Sequence, residues 1–316
     1  MTQTGQFSED IARVLDMHGI PFSTEDSRYF RILRAVSAHH RTKGCNYLNI
    51  ITIPIISHNL EEAILQSEAV GRHAGMPDTV MITQDRWMRA PEAVTSRLLA
   101  HLGIFRSIFA RDCEVRKISR KEADGFLEKN HSYGGASSRY CYGLFLARDR
   151  VKETGGSLYG ERPASGTMVA AAEFSNARRW VKEGKEIRSY EWIRYASLPD
   201  TRISGGMGKV LQKFISDIHP DDVMSYADLE WSDGQAYRQL GFIPDGKKDP
   251  VSFRIDPSDW LRIPIRPAGP ATPPPPHITL PHGTDSTSRH RTLPCEDTDT
   301  LYFRNAGSLK YRLRLY

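Results

Sequence analysis

The stretch SGGMGK, Ser204–Lys209, constrains this chain more than any other. Its glycines permit a turn that bulkier residues would block, and KVLQKFISDIH follows at once as a helix. A backbone that turns sharply into a helix start exposes N–H groups and a positive dipole end, a combination that attracts phosphate. The same glycines also suit a plain flexible turn that caps a helix. Downstream lies MSYADLEWSDGQAYRQLGF, Met224–Phe242, which reads as a strand, a polar turn, a short helix and a Gly-Phe stop. Upstream, YCYGLFLA (Tyr140–Ala147), TMVAAAEFS (Thr167–Ser175) and SYEWIRYAS (Ser189–Ser197) read as three successive strands. SRKE at Ser119–Glu122 is a capping box that starts a helix ending near Asn130. Arg148–Gly166, rich in Gly, Ser and charge, marks an exposed hairpin insertion.

The N-terminal third reads as a smaller α/β unit. Residues 27–43 place Phe30, Ile32, Leu33 and Val36 among basic residues, which predicts an amphipathic helix. Its cationic face would carry Arg28, Arg31, Arg34, His39, His40, Arg41 and Lys43, and it suits phosphate contacts or plain solvation. Leu48–Ile55 and Thr79–Thr83 read as strands, Asn59–Gly75 as a helix with an Asn cap, and Pro91–Gly103 as a helix with Pro first and Gly last. Ile104–Ile118 reads as a strand or strand pair leading into the second unit, and VSFRI, Val251–Ile255, as one more strand. Residues 264–296 are Pro-, Ser- and Thr-rich with little to bury, so they are expected to form a disordered or extended excursion. Alternating apolar and basic residues in LKYRLRLY predict that residues 297–316 re-enter the second unit as a final strand. The expected division is thus 1–112, 113–263, 264–296 and 297–316.

Of 316 residues, 39% are hydrophobic and 26% charged, in the range of a water-soluble globular protein. No apolar run approaches membrane-helix length, and the polar, acidic N-terminus is unlike a secretory signal, so a cytoplasmic protein is expected. Cys45, Cys113, Cys141 and Cys295 lie far apart, so neither a disulfide framework nor a metal site is predicted. A net charge of +5 is compatible with a polyanionic partner without requiring one.

The order of elements from about 113 to 256 resembles the GCN5-related acyltransferase (GNAT) superfamily, a mixed, mostly antiparallel sheet flanked by helices. The resemblance implies an acyl-CoA cofactor, acetyl-CoA or another, held at Ser204, Gly205, Gly206, Met207, Gly208 and Lys209. The family pattern wants Arg or Gln three residues before Gly206-x-Gly208; Ile203 stands there, with Arg202 one position out of register. FLEKNHSYGG, YEWIRYAS, SGGMGKVL and SYADLEWSDGQAYRQLGF, in this order, look like the GNAT-like domain of phage and mobile-element proteins that includes Mom-type DNA-modifying enzymes. That likeness implies His131, Arg194, Asp228 and Tyr237 as catalytic residues, Tyr133 as a companion aromatic, and a nucleobase amine as acceptor.

Transfer of an acyl group to an amine needs a proton acceptor, a donor to the leaving thiolate, and charge stabilisation. His131 suits the first role, Tyr237 the second, Asp228 the orienting of His131 or of the amine, and Arg194 the holding of a phosphate or carboxylate. The structural alternatives are a helix cap for His131, an ion pair with Glu191 or Asp228 for Arg194, and a core aromatic for Tyr237. Val80–Arg111 resembles the join between a nuclease-like domain and the GNAT-like one in such proteins. Glu62, Glu68 and Asp85 are the candidate acids there, but they form no convincing cleavage set. The alternative function is a mobile-element DNA-binding or nuclease-associated protein whose GNAT-like domain does not catalyse.

Overall fold

The computed structural model describes residues 3–37, 47–154, 161–265 and 300–316. The chain is a mixed α/β protein whose helices cover several separate sheets. It begins with α1 (Gln3–Met17), β1 (Phe22–Asp26), β2 (Arg31–Val36), β3 (Tyr47–Ile53), α2 (Leu60–Gly71) and β4 (Thr79–Thr83). The four strands pair in that order, with β3 and β4 parallel and α2 as their crossover. Phe7, Ile11 and Leu15, one face of α1, bury against Leu33, Leu48 and Ile50. Asn59 caps α2 by accepting the Glu62 N–H at 2.9 Å.

The expected basic helix over 27–43 is instead β2, within the described part of that range. Leu33 and Ala35 point to one face of the sheet, and Ile32 is buried on the other. Arg31 pairs with Asp26 and Glu9, and Arg34 with Glu25, so these arginines knit the local hairpin. Residues 38–46, with His39, His40, Arg41 and Lys43, lie outside the described residues.

Next come α3 (Gln84–Arg89), α4 (Pro91–His101), β5 (Phe105–Phe109), β6 (Cys113–Lys117), α5 (Arg120–Asn130), β7 (Tyr140–Leu146), β8 (Lys152–Thr154), β9 (Met168–Phe174), β10 (Arg178–Lys182), β11 (Lys185–Ser197) and β12 (Thr201–Ser204). The chain ends with α6 (Gly206–Ile218), β13 (Asp222–Asp228), α7 (Gln235–Gln239), β14 (Ile243–Lys248), β15 (Ser252–Ile255), β16 (Arg262–Pro264), β17 (Leu301–Arg304) and β18 (Ser308–Arg314). The capping box at Ser119 and Glu122 is formed at the start of α5.

The main sheet runs β14-β18-β13-β11-β9-β7-β6, with β10 as a hairpin partner at the start of β11. The C-terminal strand does return, inserted between β13 and β14. Helix α6 covers one face through Val210, Leu211 and Phe214, with Phe214 stacked on Phe174 at 3.9 Å between ring centroids. Helix α5 covers the other through Phe126 and Leu127 over Ala171 and Ala196.

The expected boundary near 263 is corrected by the strands beyond β14. β15, β16 and β17 form a separate sheet whose Ile255 and Phe303 fill the N-terminal unit's core beside Ile51, Val70 and Met81. The segment after β13 joins the units as well. Glu230 accepts the Met81 N–H of β4, and Trp231 is buried among Leu98, Leu99 and Leu102 of the N-terminal core. Residues 266–299 lie outside the described residues, and with them nearly all of the expected excursion.

Candidate functional site

β11 and β13 are parallel and pair only over Ser189–Glu191 with Asp222–Met224. A register shift between Trp192 and Arg194 then turns β11 toward β9, while β13 continues against β18. The two strands therefore split at their carboxyl ends, and a crevice there is the usual ligand position between parallel strands. The split separates two sets of side chains on opposite faces of the sheet.

On the α6 face, the glycine turn lies at the split. Gly205 is in the left-handed region at φ +78°, and no side chain caps the helix it starts. A Cβ on Gly206 would lie 2.8 Å from both Ile203 Cγ2 and the Tyr195 hydroxyl, so close packing on β11 and β12 demands this glycine. Ser204 and Gly205 are exposed, and Met207 and Gly208 half-buried, so first-turn N–H groups face outward without a side-chain acceptor. Lys209 departs from the expected role. Its ammonium is held by the Ala110 carbonyl at 2.8 Å and by the Cys113 carbonyl, which ties α6 to the turn before β6 and away from a phosphate.

Tyr237 belongs to this face. Its ring stacks on Tyr311 and meets Phe242 edge-on, and its hydroxyl is 2.8 Å from Ser225 Oγ, which donates to the Trp192 carbonyl at the split. Burial raises its pKa, so the phenol stays protonated at neutral pH.

On the α5 face, His131, Arg194 and Asp228 converge around Tyr133. Tyr133 lies 3.3 Å from Asp228 Oδ2, its ring is 5.6 Å from the Arg194 guanidinium, and its backbone N–H donates to His131 Nδ1 at 3.1 Å. Arg194 donates to the carbonyls of Gly134 and Ile193, and among the described residues no carboxylate forms an ion pair with it. Neither Glu191 nor Asp228 therefore takes the ion-pair role.

His131 is the cap residue of α5 through its backbone, while its ring faces the cluster. Burial, with Arg194, Arg97 and Arg86 adding to it, lowers its pKa to about 3. With Nδ1 already accepting a hydrogen bond, the neutral ring presents Nε2–H. The expected base is thus a hydrogen-bond donor. Nor does Asp228 orient it: Asp228 Oδ2 is 3.0 Å from Arg86, and Oδ1 accepts the Glu230 N–H at 3.0 Å. Burial opposes ionisation of Asp228, but the charge and hydrogen bond of Arg86 outweigh it and hold the carboxyl below its ordinary value.

The sequence reading missed the ionic cluster behind this face. Arg86 also contacts Glu230 at 3.0 Å, and Arg262 grips Asp85 through two contacts, the longer 3.1 Å, while lying 3.5 Å from Glu230. Burial raises the pKa of Glu230. The available signal was faint: Glu230 is an acid between Leu229 and Trp231, flanked on both sides by core residues. Asp85, a candidate nuclease ligand, is therefore neutralised by Arg262. Glu62 and Glu68 lie exposed on α2, six positions apart and thus on different helix faces, so these three acids do not converge.

Two further features bound the site. A small pocket lined by Gln66, Met81, Glu230 and Phe303 among others borders the ionic cluster at Glu230. Among the described residues no helix is long and apolar enough to cross a membrane. No protein-family model matches the chain, and no curated protein matches it.

Proposed function

We propose that the chain is an acyl-CoA-dependent transferase that modifies an amine, with a nucleobase amine as the favoured acceptor. The observation that carries this reading is the split between β11 and β13, bordered by an uncapped helix start on one face and by His131, Arg194 and Asp228 on the other. The coenzyme's phosphates would meet the N–H groups of α6, and its thioester would enter the split. The acceptor would approach from the Tyr133 face. Attack by the amine forms the N–C bond and breaks the C–S bond. Tyr237, protonated and facing the split, supplies the proton to the leaving sulfur; Asp228 accepts a hydrogen bond from the amine, whose proton passes to water. His131 and Arg194 donate hydrogen bonds and charge to the acceptor rather than removing its proton.

The same geometry leaves a second reading. His131 is a poor base and the Lys209 ammonium is engaged elsewhere, as expected for a DNA-docking protein whose acyltransferase-like fold no longer catalyses. Acetyl-CoA separates the two. A functional coenzyme site raises the unfolding free energy by about 2.7 kcal/mol at a hundred times Kd. No shift in Tm at millimolar acetyl-CoA would remove the transferase reading. Mass analysis of nucleosides from cells with and without the protein then identifies the modified base.

A further inference from the structure

The geometry points to a phosphate-binding cleft at the seam of the two units, in which Arg97, Arg194 and His131 hold the phosphate of the acceptor. This inference rests on the transferase reading for calling the bound molecule the acceptor, but not for the binding itself.

Arg97 projects from α4 of the N-terminal unit. It is exposed, and its guanidinium lies 4.3 Å from the centre of the Trp231 ring, with no carboxylate in an ion pair with it among the described residues. Burial against neighbouring protein lowers its pKa to about 10, with Asp228 and Glu230 opposing that shift. Arg194 projects from β11 and donates only to neutral carbonyls among the described residues. His131, at the end of α5, offers Nε2–H.

The fields of Arg194, Arg97 and Arg86 act on the His131 ring, opposed by Asp228. Asp228 and Glu230 are both engaged by Arg86. Glu173, opposite Arg194 on β9, accepts from the Ala136 N–H and the Ser138 hydroxyl, and burial raises its pKa. Among the described residues, Arg97 and Arg194 are therefore two cations on this recess without a carboxylate in an ion pair.

Such a concentration of cations opposes folding unless an anion compensates it. The three donors come from three separate elements, α4, β11 and the end of α5. The Trp231 stack fixes the plane of the Arg97 fork, as phosphate recognition requires.

The test titrates the full chain with deoxyadenosine 5′-monophosphate, deoxyadenosine, inorganic phosphate and a short single-stranded oligodeoxynucleotide. Wild type is compared with Arg97→Gln, Arg97→Lys, Arg194→Gln and the surface control Arg178→Gln. The nucleotide should bind at least about tenfold tighter than the nucleoside, and each cleft Gln variant should lose about tenfold or more. Arg97→Lys, which keeps the charge, should recover part of the loss, and Arg178→Gln should lose nothing. Tighter binding of the oligonucleotide than of the mononucleotide assigns the phosphate to a strand; equal binding assigns it to a free nucleotide, and either supports the cleft. Equal affinity for nucleotide and nucleoside, or full affinity in both Gln variants, overturns it. Loss of the nucleotide effect alone, with the acetyl-CoA shift intact, sinks this inference and spares the transferase reading; the converse result does the opposite.

Discussion

Replacing Arg86 by Leu tests whether the ionic seam holds the two units together. Arg86 is 8% exposed and lies 3.0 Å from both Asp228 and Glu230, with a hydrogen bond to the Tyr133 hydroxyl. A charge pair about 4 Å apart is worth about 4 kcal/mol at an effective dielectric of 20. Truncating one partner of a buried pair typically costs about 3–5 kcal/mol, because the stranded charges remain desolvated. For 316 residues, with about 2.1 cal/mol/K of unfolding entropy each, that corresponds to a Tm lower by roughly 5–8 °C. The penalty should also depend on pH. Without Arg86 the two carboxyls would have raised folded pKa values, so the variant gains stability as pH falls from 7 to 5 and the acids protonate. In the wild type Asp228 behaves oppositely: its pKa is lowered in the fold, so its contribution is present above the ordinary carboxylate range and lost as pH falls. Thermal melts of both proteins across pH 5–8 should therefore converge on the acid side. A loss below about 1 kcal/mol, or one that stays constant with pH, would refute the reasoning.

Tyr237→Phe should abolish acyl transfer while costing about 1 kcal/mol of stability, since Ser225 keeps its bond to the Trp192 carbonyl; retained turnover would exclude the phenol as proton donor. Trp231→Ala, at a site 2% exposed, should cost about 3–5 kcal/mol in denaturant unfolding, more than a surface position allows. His131 has a folded pKa lowered to about 3, so the unfolded chain binds the extra proton below about pH 6.5. Wild-type stability should fall from there toward pH 3, and His131→Asn should flatten that slope; identical slopes would show that His131 titrates normally.

Local signals carried the sequence reading a long way. Asn59, the Ser119–Glu122 box and the glycine turn each act within a few residues of themselves, and each forms as expected. The three central strands and the returning C-terminal strand were legible from period and composition. β2 was misread because Phe30, Ile32, Leu33 and Val36 fit helical spacing, yet both faces of a strand in a covered sheet are buried. The β10–β11 hairpin was missed although its two-residue turn, Glu183-Gly184, has the positive φ values that such hairpins favour. The site divides the same way. His131, Arg194 and Asp228 do meet, but Tyr237 reaches the split from the other face, since alternate residues of β13 point to opposite sides. Arg86, Arg97, Glu230 and Arg262 come from distant parts of the chain, and no window of sequence holds their pairing.

The exchange of strands between the units has a consequence for synthesis on the ribosome. Ile255 and Phe303 complete the core that Ile51, Val70 and Met81 begin, and Trp231 sits among residues of α4. The N-terminal unit therefore emerges with apolar surface that β15 and β17 cover later. Folding of the N-terminal unit is incomplete until β17 has been made, and the nascent unit is exposed to aggregation for that interval. A stop codon after β14 would leave both units open: one without Phe303, the other without the strand between β13 and β14.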